Sequence, residues 1–486
     1  MNPRTESSLV TVPKQCYING GWRDSTGGKL FEVADPSTGA PVVSVADTST
    51  PDWSDALDAA ATSFPDWRES SLQERSRFLR ALFNRVTEKS DELARVMSIE
   101  SGKPLGESMA EINYGASFLE WYSELLISQR GEVSDNPTGD YQMQVTRQPV
   151  GPCLLITPWN FPLAMLTRKL GAALAAGCTA VIKPAALTPL TCAWLVNQIH
   201  ELGLPPGVVN YLPTTDARGL SSEIMADPRL RKISFTGSTS VGSVLLKQAA
   251  ENVQASSMEL GGNAPFVIAR DADVDKAVTG VMIAKFRNAG QACVAANRVL
   301  VPIDMRDEFV EKLVEKVNAL KVDAWDIDGA DMGPLVDASQ VRTVESVVTG
   351  ALNEGGQVRA GGRRMDRDGY FFEPTVIVDA PIGGETWSRE IFGPVAAVYS
   401  YRPEDDVAAL ANQTEYGLVS YLYGRDQKQL AAVADAMESG MVAINRPIIS
   451  EARAPFGGVK ASGLGREGGT VGLEDYQVVK YVALQY

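Results

Sequence analysis

The chain has 486 residues, of which 44% are hydrophobic and 22% charged, with a formal net charge of −15. This composition is typical of a globular protein of several domains, and the acidic balance argues against nucleic acids and anionic membranes, which bind clustered Lys and Arg. Five cysteines form no CxxC pair and the chain has one histidine, His200, so we expect no metal site.

The start of the chain indicates neither export nor membrane insertion. Residues 1–8 lack the charged segment and apolar run of a signal peptide, and no apolar run anywhere reaches eighteen residues. We therefore expect a cytoplasmic protein with reduced thiols. The next segment, residues 16–22, predicts two short strands around an Asn-Gly turn.

The following segment predicts helices and then a strand. Leu79, Leu82, Phe83 and Val86 recur at helical spacing and indicate an amphipathic helix. Residues 141–146 alternate between apolar and polar side chains, which predicts a strand with one covered face.

From residue 150 onward, apolar runs alternate with amphipathic helices. The runs are 152–157, 179–182, 208–212 and 232–236. This alternation predicts a parallel sheet with covering helices, and such sheets bind ligands beyond the carboxyl ends of their strands.

A second alternating block begins near residue 264, so we expect a domain boundary near residue 260. It contains strands at 264–268 and 295–301, a helix that ends at Asn288 and another over 306–320. The tail, 476–486, predicts an extended strand, which is unusual for a terminus unless the strand pairs.

Two motifs of the second block carry chemistry. Cys293 ends the segment Gly290-Gln291-Ala292-Cys293, and Glu259 lies upstream in Met258-Glu259-Leu260-Gly261-Gly262-Asn263. A cysteine nucleophile needs a base, and with a single histidine in the chain a carboxylate is the only plausible one. The alternatives are an inert buried thiol for Cys293 and a salt-bridged carboxylate for Glu259.

Together with three further motifs, these segments resemble the aldehyde dehydrogenase superfamily over nearly the whole chain. The three are residues 157–162, 235–242 and 390–394. The resemblance implies an α/β fold with a dinucleotide-binding parallel-sheet domain (1–130 and 151–258), an α/β catalytic domain (259–450) and a small β oligomerisation arm (131–150 and 451–486).

The resemblance also implies the catalytic roles. Cys293 would attack the aldehyde to form a thiohemiacetal and then a thioester, and Glu259 would activate the hydrolytic water. The Asn160 amide and the Cys293 backbone N–H would stabilise the oxyanion. Asn160 could instead be a turn residue or a helix cap.

A nicotinamide dinucleotide is the implied cofactor. Glu390 and Phe392 would hold its nicotinamide ribose and ring, although they could be a solvated acid and a core aromatic. The other implied cofactor-binding residues are Thr157, Pro158, Trp159, Lys183, Ala185, Ala186, Gly237, Ser238 and Leu260.

The residue at position 186 bears on the choice of nicotinamide. NAD-preferring relatives usually have Glu there, which would repel a 2′-phosphate, whereas this chain has Ala186 and leaves Lys183 to meet that phosphate. We therefore expect NADP to be preferred and NAD to be possible.

Within the superfamily, the closest resemblance is to the succinate-semialdehyde dehydrogenases, on segments that include 159–169 and 455–460. It implies that Arg168, Arg287 and Ser450 bind the distal carboxylate of the substrate. Arg287 could instead complement a helix end, and Arg168 could be a surface residue. Ala295 stands where some relatives have a second cysteine, so we expect no internal redox switch.

Three alternatives stay open. The substrate could be glutarate semialdehyde, or an aromatic or ω-amino aldehyde. A CoA-acylating enzyme is disfavoured because Glu259 is present, and a non-catalytic protein on the same fold is disfavoured by the intact catalytic residues. Pairing by the 141–146 strand and the tail predicts a homodimer or homotetramer.

Overall fold

A computed structural model describes residues 8–485. Residues 1–7 and Tyr486 lie outside the described residues. The prediction of no signal peptide rests on residues 1–7. Within residues 8–485, no helix combines the length and apolar character needed to cross a membrane. The helices of this range are α1 Thr50–Glu69, α2 Leu72–Glu88, α3 Ser90–Ser101, α4 Leu105–Leu125, α5 Ala164–Ala176, α6 Leu190–Glu201, α7 Ala217–Ala226, α8 Thr239–Glu251, α9 Val274–Phe286, α10 Arg306–Asn318, α11 Ala338–Asn353, α12 Glu385–Ser388, α13 Val407–Ala411, α14 Gln427–Ala436 and α15 Gly469–Glu474.

Short strands lie between these helices. They are β1 Cys16–Ile18, β2 Gly21–Arg23, β3 Leu30–Ala34, β4 Pro41–Ala46, β5 Glu132–Asp135, β6 Gln142–Pro149, β7 Cys153–Ile156, β8 Ala180–Lys183, β9 Val209–Tyr211, β10 Lys232–Thr236, β11 Ala255–Glu259, β12 Ala264–Ile268, β13 Ala296–Pro302, β14 Gln357–Ala360, β15 Thr375–Val378, β16 Val395–Tyr401, β17 Tyr416–Gly417, β18 Val419–Tyr423, β19 Met441–Ile444, β20 Val459–Lys460, β21 Gly463–Leu464 and β22 Gln477–Leu484.

The first large sheet has the order β2-β1-β9-β8-β7-β10-β11-β21 within the described residues. Strands β9, β8, β7, β10 and β11 are parallel neighbours, which confirms the predicted parallel sheet. Side chains of β7 alternate between two hydrophobic cores: Cys153 and Leu155 join one, and Leu154 and Ile156 join the other. Both faces of the strand are therefore covered by helices, as its continuous apolar run predicts.

The second large sheet has the order β14-β15-β16-β13-β12-β18-β19 within the described residues, and all neighbours except β14 and β15 are parallel. It has its own hydrophobic core, which includes Phe266, Val299 and Val398. The two sheets are joined by the short connection between β11 and β12, close to the predicted boundary.

A third sheet joins the tail to the middle of the chain, in the order β22-β6-β5. The strand predicted at 141–146 is present as β6, but the prediction that one of its faces is covered is wrong for the single chain. Every residue of β6 is partly or fully exposed, because no helical layer of the described residues packs on this thin sheet. The domain boundaries themselves stay a prediction, and β21, inside the range assigned to the arm, pairs with β11 of the first sheet.

Element bounds follow the sequence pattern closely, with one informative exception. Strands β10 and β12 have the predicted bounds, and Asn19 and Gly20 both adopt positive φ in the predicted hairpin turn. The helix predicted to end at Asn288 ends instead at Phe286, because the following residues adopt a different backbone conformation. That segment leads to Cys293.

Candidate active site

The residues predicted to bind the dinucleotide gather at one edge of the first sheet. Each lies at or directly after the carboxyl end of β7, β8, β10 or β11. Because these strands are adjacent and parallel, the loops that follow them form one continuous rim. Its predicted cofactor residues are Thr157, Pro158, Trp159, Lys183, Ala185, Ala186, Gly237, Ser238 and Leu260.

The environment of Lys183 fits an anionic ligand. The side chain is only 6% exposed, and no described carboxylate lies within salt-bridge distance of its ammonium group. Burial lowers the pKa of Lys183 to about 8, which the charge of Asp47 opposes. A buried cation of this kind is stabilised by a phosphate more than by water.

The start of α8 offers a second contact for phosphate. Gly237 follows β10, and Ser238 is the N-cap, whose Oγ accepts a hydrogen bond from Val241 N at 3.4 Å. The N-terminal turn of a helix has unpaired N–H groups and a partial positive charge. Thr236 Oγ1, beside this turn, is buried without a hydrogen-bond partner. The rim therefore supplies donors that suit a dinucleotide.

Glu390 and Phe392 reach the same rim from the catalytic half of the chain. Glu390 Oε1 accepts a hydrogen bond from Gly262 N at 2.9 Å, and Phe392 packs edge-on against Trp159 with ring centroids 5.4 Å apart. Burial raises the pKa of Glu390 to about 7, opposed by the Gly262 N–H and the charge of Lys285. Glu390 is thus a partly buried, hydrogen-bonded carboxyl group rather than a solvated acid.

The segment before Cys293 has an unusual backbone. Asn288, Ala289 and Gly290 have φ angles of 51°, 52° and 71°. For the two residues that are not glycine, this left-handed conformation costs about 1–3 kcal/mol each. A Cβ on Gly290 would lie 2.1 Å from Gly393 O, so this position has room for glycine only. The strain ends the predicted helix and turns the chain towards the sulfur.

A network of polar side chains holds this segment. Asn288 N donates to Glu107 Oε1 at 2.8 Å, and Asn288 Nδ2 donates to Asn160 O at 3.0 Å. The Asn160 amide donates to Gln291 O at 3.0 Å. Lys103 Nζ donates to Asn160 O at 2.7 Å. The predicted oxyanion donor and the nucleophile segment are therefore fixed by the same contacts.

Cys293 is half-buried and lines a cavity. Burial raises the pKa of its thiol to about 12, and the positive charge of Arg168 opposes this rise. The thiol is therefore protonated at neutral pH and needs a base, as the sequence predicts.

Glu259, the predicted base, is 3% exposed, and both carboxyl oxygens lack a hydrogen-bond partner. Burial raises the pKa of Glu259 well above its ordinary range, the charge of Glu467 raises it further, and Arg168 and Lys169 oppose the rise. Glu259 is not salt-bridged, which removes the structural alternative. Burial and the charge of Glu467 therefore disfavour the ionised form of this carboxyl group.

Glu467 forms a buried ion cluster with two cations of α5. Lys169 Nζ donates a hydrogen bond to Glu467 Oε1, and Arg168 Nε lies 2.8 Å from Glu467 Oε2. Although burial opposes ionisation, Lys169 and Arg168 hold the pKa of Glu467 below its ordinary value. The cations thus favour the ionised form of Glu467, whereas ionisation of its neighbour Glu259 is disfavoured.

The cavity has a volume of about 220 Å³ and brings the predicted substrate residues to the sulfur. Arg168, Arg287 and Ser450 line it together with Cys293. Arg168 is 1% exposed, so the alternative of a surface residue is wrong. Its side chain stacks on the Phe456 ring at 3.9 Å, and Nη2 has no hydrogen-bond partner. Arg287 directly follows α9 and also faces the cavity.

Several residues of the site are absent from the sequence-based prediction. Glu467 and Lys169 control the charge around Glu259, Glu107 holds the strained segment, and Tyr114 lines the cavity. Glu107 and Tyr114 lie on α4, far from every motif, so only their helical spacing of seven residues relates them in the sequence. No sequence motif assigns a role to Glu467.

The chain matches known proteins over nearly its whole length. Residues 22–482 match the model of the aldehyde dehydrogenase family. The NADP⁺ succinate-semialdehyde dehydrogenase of Escherichia coli is 44% identical over 471 residues, which cover 97% of this chain and 98% of that protein. The glutarate-semialdehyde dehydrogenase of Pseudomonas putida is also 44% identical over 471 residues, with coverage of 97% and 98%. A solved succinate-semialdehyde dehydrogenase from Burkholderia pseudomallei has a TM-score of 0.96 at 42% identity, and 98% of each chain is covered.

The ion cluster predicts how Glu467→Gln changes the pH dependence. The charge of Glu467 raises the pKa of Glu259, so its removal leaves Arg168 and Lys169 to lower that pKa. We expect the acid limb of kcat to move to lower pH by about 1 unit or more. Steady-state rates between pH 5 and 9 measure the shift.

Glu474→Gln provides the control. Glu474 is an exposed carboxylate that pairs with Arg147 at 2.6 Å, so its loss should leave the pH profile unchanged. The breaking of a buried pair costs about 3–5 kcal/mol, so thermal unfolding should confirm that Glu467→Gln is folded at the assay temperature. An acid limb that stays in place or moves to higher pH contradicts the assignment.

Proposed function

Because the chain belongs to the aldehyde dehydrogenase family, we propose that it oxidises succinate semialdehyde, or a similarly short aldehyde with a distal carboxylate, to the acid. It is an NAD(P)-dependent aldehyde dehydrogenase. The names of the two relatives support a carboxylated substrate, and glutarate semialdehyde, one methylene longer, is the second candidate.

One observation carries the choice of substrate: the cavity that exposes the sulfur has an excess of positive charge. Its lining includes the cations Lys103, Arg168 and Arg287 but only the carboxylates Glu107 and Glu111. Glu467 pairs with Arg168 from outside the lining, and Lys169 offsets its charge, so one positive charge is still unbalanced. A buried charge without a counterion is costly. A substrate carboxylate balances the lining, whereas a neutral aldehyde leaves it unbalanced.

The geometry supports the following chemistry. Glu259, as a carboxylate, takes the thiol proton of Cys293, and Sγ then attacks the aldehyde carbon to form a tetrahedral thiohemiacetal. Its oxyanion accepts hydrogen bonds from the Cys293 N–H and from the Asn160 amide, which is held in place through Gln291 O. One such donor lowers the barrier by about 3–4 kcal/mol. Glu390 and Phe392 would hold the nicotinamide at the rim, where it would supply the acceptor for the hydride of the substrate carbon.

Release of the product requires a base. Water attacks the thioester that remains on Cys293, and Glu259 takes the proton of that water at its carboxylate. Glu259 must first lose the proton that it took from the thiol, and its raised pKa opposes this loss. Lys169 and Glu467 form a hydrogen-bonded pair nearby, and their charges set the ease of this step.

The preference for NADP is part of the proposal. Ala186 is small and partly exposed at the rim, and the unpaired ammonium group of Lys183 is available for a 2′-phosphate. Phosphate carries more charge than a ribose hydroxyl and gains more from this cation.

A homo-oligomer is proposed from the third sheet. The outer strand β22 exposes Val478, Val479 and Tyr481, which are 45%, 69% and 54% accessible. An exposed apolar edge strand favours pairing with another chain.

Replacement of the nucleophile tests the proposed reaction. Cys293→Ala should reduce the rate of NADP reduction at least about a thousandfold with every aldehyde, because no other group can form the thioester. The matched control is Cys16→Ala, which removes a fully buried thiol in β1 and should keep the rate. An undiminished rate for Cys293→Ala refutes the reaction.

Arg287→Met tests the carboxylate pocket. Arg287 forms no ion pair with Glu467, so its replacement leaves the ion cluster intact and changes mainly substrate binding. Replacement of Arg168 would change both. A hydrogen bond to a charged group contributes about 1.5–3 kcal/mol, so kcat/KM for succinate semialdehyde relative to butanal should fall at least about tenfold. Arg218→Met, at an exposed site, should leave this ratio unchanged. Equal losses for both aldehydes contradict the pocket.

Ala186→Glu tests the cofactor assignment. A carboxylate beside the 2′-phosphate should repel NADP, so kcat/KM with NADP should fall about tenfold or more while that with NAD is maintained. Kinetics with each dinucleotide at saturating aldehyde measure both values. A wild-type enzyme that uses NAD tenfold better than NADP would contradict the preference.

A further inference from the structure

One face of α4 lines the substrate cavity. Glu107, Ala110, Glu111 and Tyr114 follow the spacing of adjacent turns on one side of a helix, and all four border the cavity. This stripe therefore borders the cavity, and Glu111 also accepts a hydrogen bond from Ala164 N at the start of α5.

The two acids of the stripe already have partners, unlike the hydroxyl of Tyr114. Glu111 accepts hydrogen bonds from Lys103 Nζ at 2.6 Å and from Leu163 N at 2.9 Å, and Glu107 accepts one from Asn288 N. The Tyr114 hydroxyl is buried and makes no hydrogen bond of good geometry, and its hydroxyl neighbour, Ser450, lies close enough to lower the pKa of Tyr114. A buried hydroxyl that makes no good hydrogen bond is unfavourable, so a hydroxyl at this position indicates that a bound ligand accepts its hydrogen bond.

The position of the Tyr114 ring is set by packing. Its ring meets the Phe118 ring edge-on, with centroids 5.1 Å apart and an interplanar angle of 69°. Phe118 is fully buried, so this contact fixes the direction of the Tyr114 hydroxyl.

The groups around the hydroxyl are those predicted to bind the substrate carboxylate. Burial raises the pKa of Tyr114, whereas Arg168, Ser450 and Arg287 lower it, which places all three near the phenol oxygen. At neutral pH the phenol, the serine hydroxyl and both guanidinium groups are hydrogen-bond donors. A carboxylate, with two oxygens that each accept two hydrogen bonds, matches this set.

We propose that Tyr114 is a specificity-determining residue that donates a hydrogen bond to the distal carboxylate of the aldehyde. The inference rests on the proposed function and adds a substrate-binding residue that lies outside every sequence motif. Tyr114 then contributes to the choice between carboxylated and neutral aldehydes, while the chemistry at Cys293 is the same for both.

Tyr114→Phe tests this role because it keeps the ring and removes only the hydroxyl. We expect kcat/KM for succinate semialdehyde to fall about tenfold, with little change for butanal. Succinate should inhibit the variant about tenfold more weakly than the wild type, whereas inhibition by the neutral butanamide should not change. These inhibition constants report binding independently of turnover.

Tyr122→Phe is the matched control on the same helix. The Tyr122 hydroxyl accepts a hydrogen bond from Gly468 N at 3.0 Å, so its loss should lower the melting temperature without changing the ratio of the two substrates. A Tyr114→Phe enzyme that loses both substrates equally, or that keeps the wild-type ratio and succinate inhibition, overturns the role of Tyr114.

The wild-type measurement separates the two proposals. If the wild type favours succinate semialdehyde over butanal and Tyr114→Phe keeps that preference, only the role of Tyr114 fails. If the wild type has no preference for the carboxylated aldehyde, the proposed substrate class fails and the role of Tyr114 fails with it.

Discussion

The buried positive charge of Arg168 controls the ionisation of the groups around the sulfur. It lowers the pKa of Cys293, Glu259 and Glu467, in each case against burial, which raises the pKa. In a site with little water, a cation a few ångströms away is the main counterweight to desolvation. A buried ion pair such as Arg168–Glu467 adds little net stability, because desolvation offsets the attraction. The buried charge of Arg168 is therefore better explained by a role in the reaction than by a contribution to folding stability.

The second constraint is the left-handed backbone at Asn288, Ala289 and Gly290. Its strain is tolerated because distant parts of the chain hold it in place. Glu107 on α4 accepts the Asn288 N–H, and Asn160 accepts and donates within the same network. The nucleophile and the oxyanion donor are thus positioned before the substrate arrives, which avoids reorganisation during the reaction.

Local features of the sequence predict the fold well, and long-range electrostatics limit the prediction of the site. The apolar runs predict the parallel strands because each strand is buried on both faces, and residues 232–236 and 264–268 have the predicted bounds. Cys293, Arg168, Arg287 and Ser450 meet at one cavity as the resemblance implies. The alternation in residues 141–146 predicts the strand correctly. It does not reveal that neither face of this strand is covered within a single chain. The ionisation states of Glu259 and Glu467 depend on cations of another helix, which no local pattern encodes.

The net charge of the cavity lining affects both substrate binding and product release. The cavity lining has one more cation than carboxylate among its described residues, so it matches a substrate with a single negative charge. Oxidation produces a second carboxylate at the carbon that leaves Cys293, close to the carboxyl group of Glu259. The two negative charges of the dicarboxylate product then exceed the single excess positive charge of the lining by one. The new carboxylate lies beside Cys293 and Glu259, where burial already disfavours negative charge. The electrostatics that favour the aldehyde therefore disfavour the acid, and the same residues serve both selection and release.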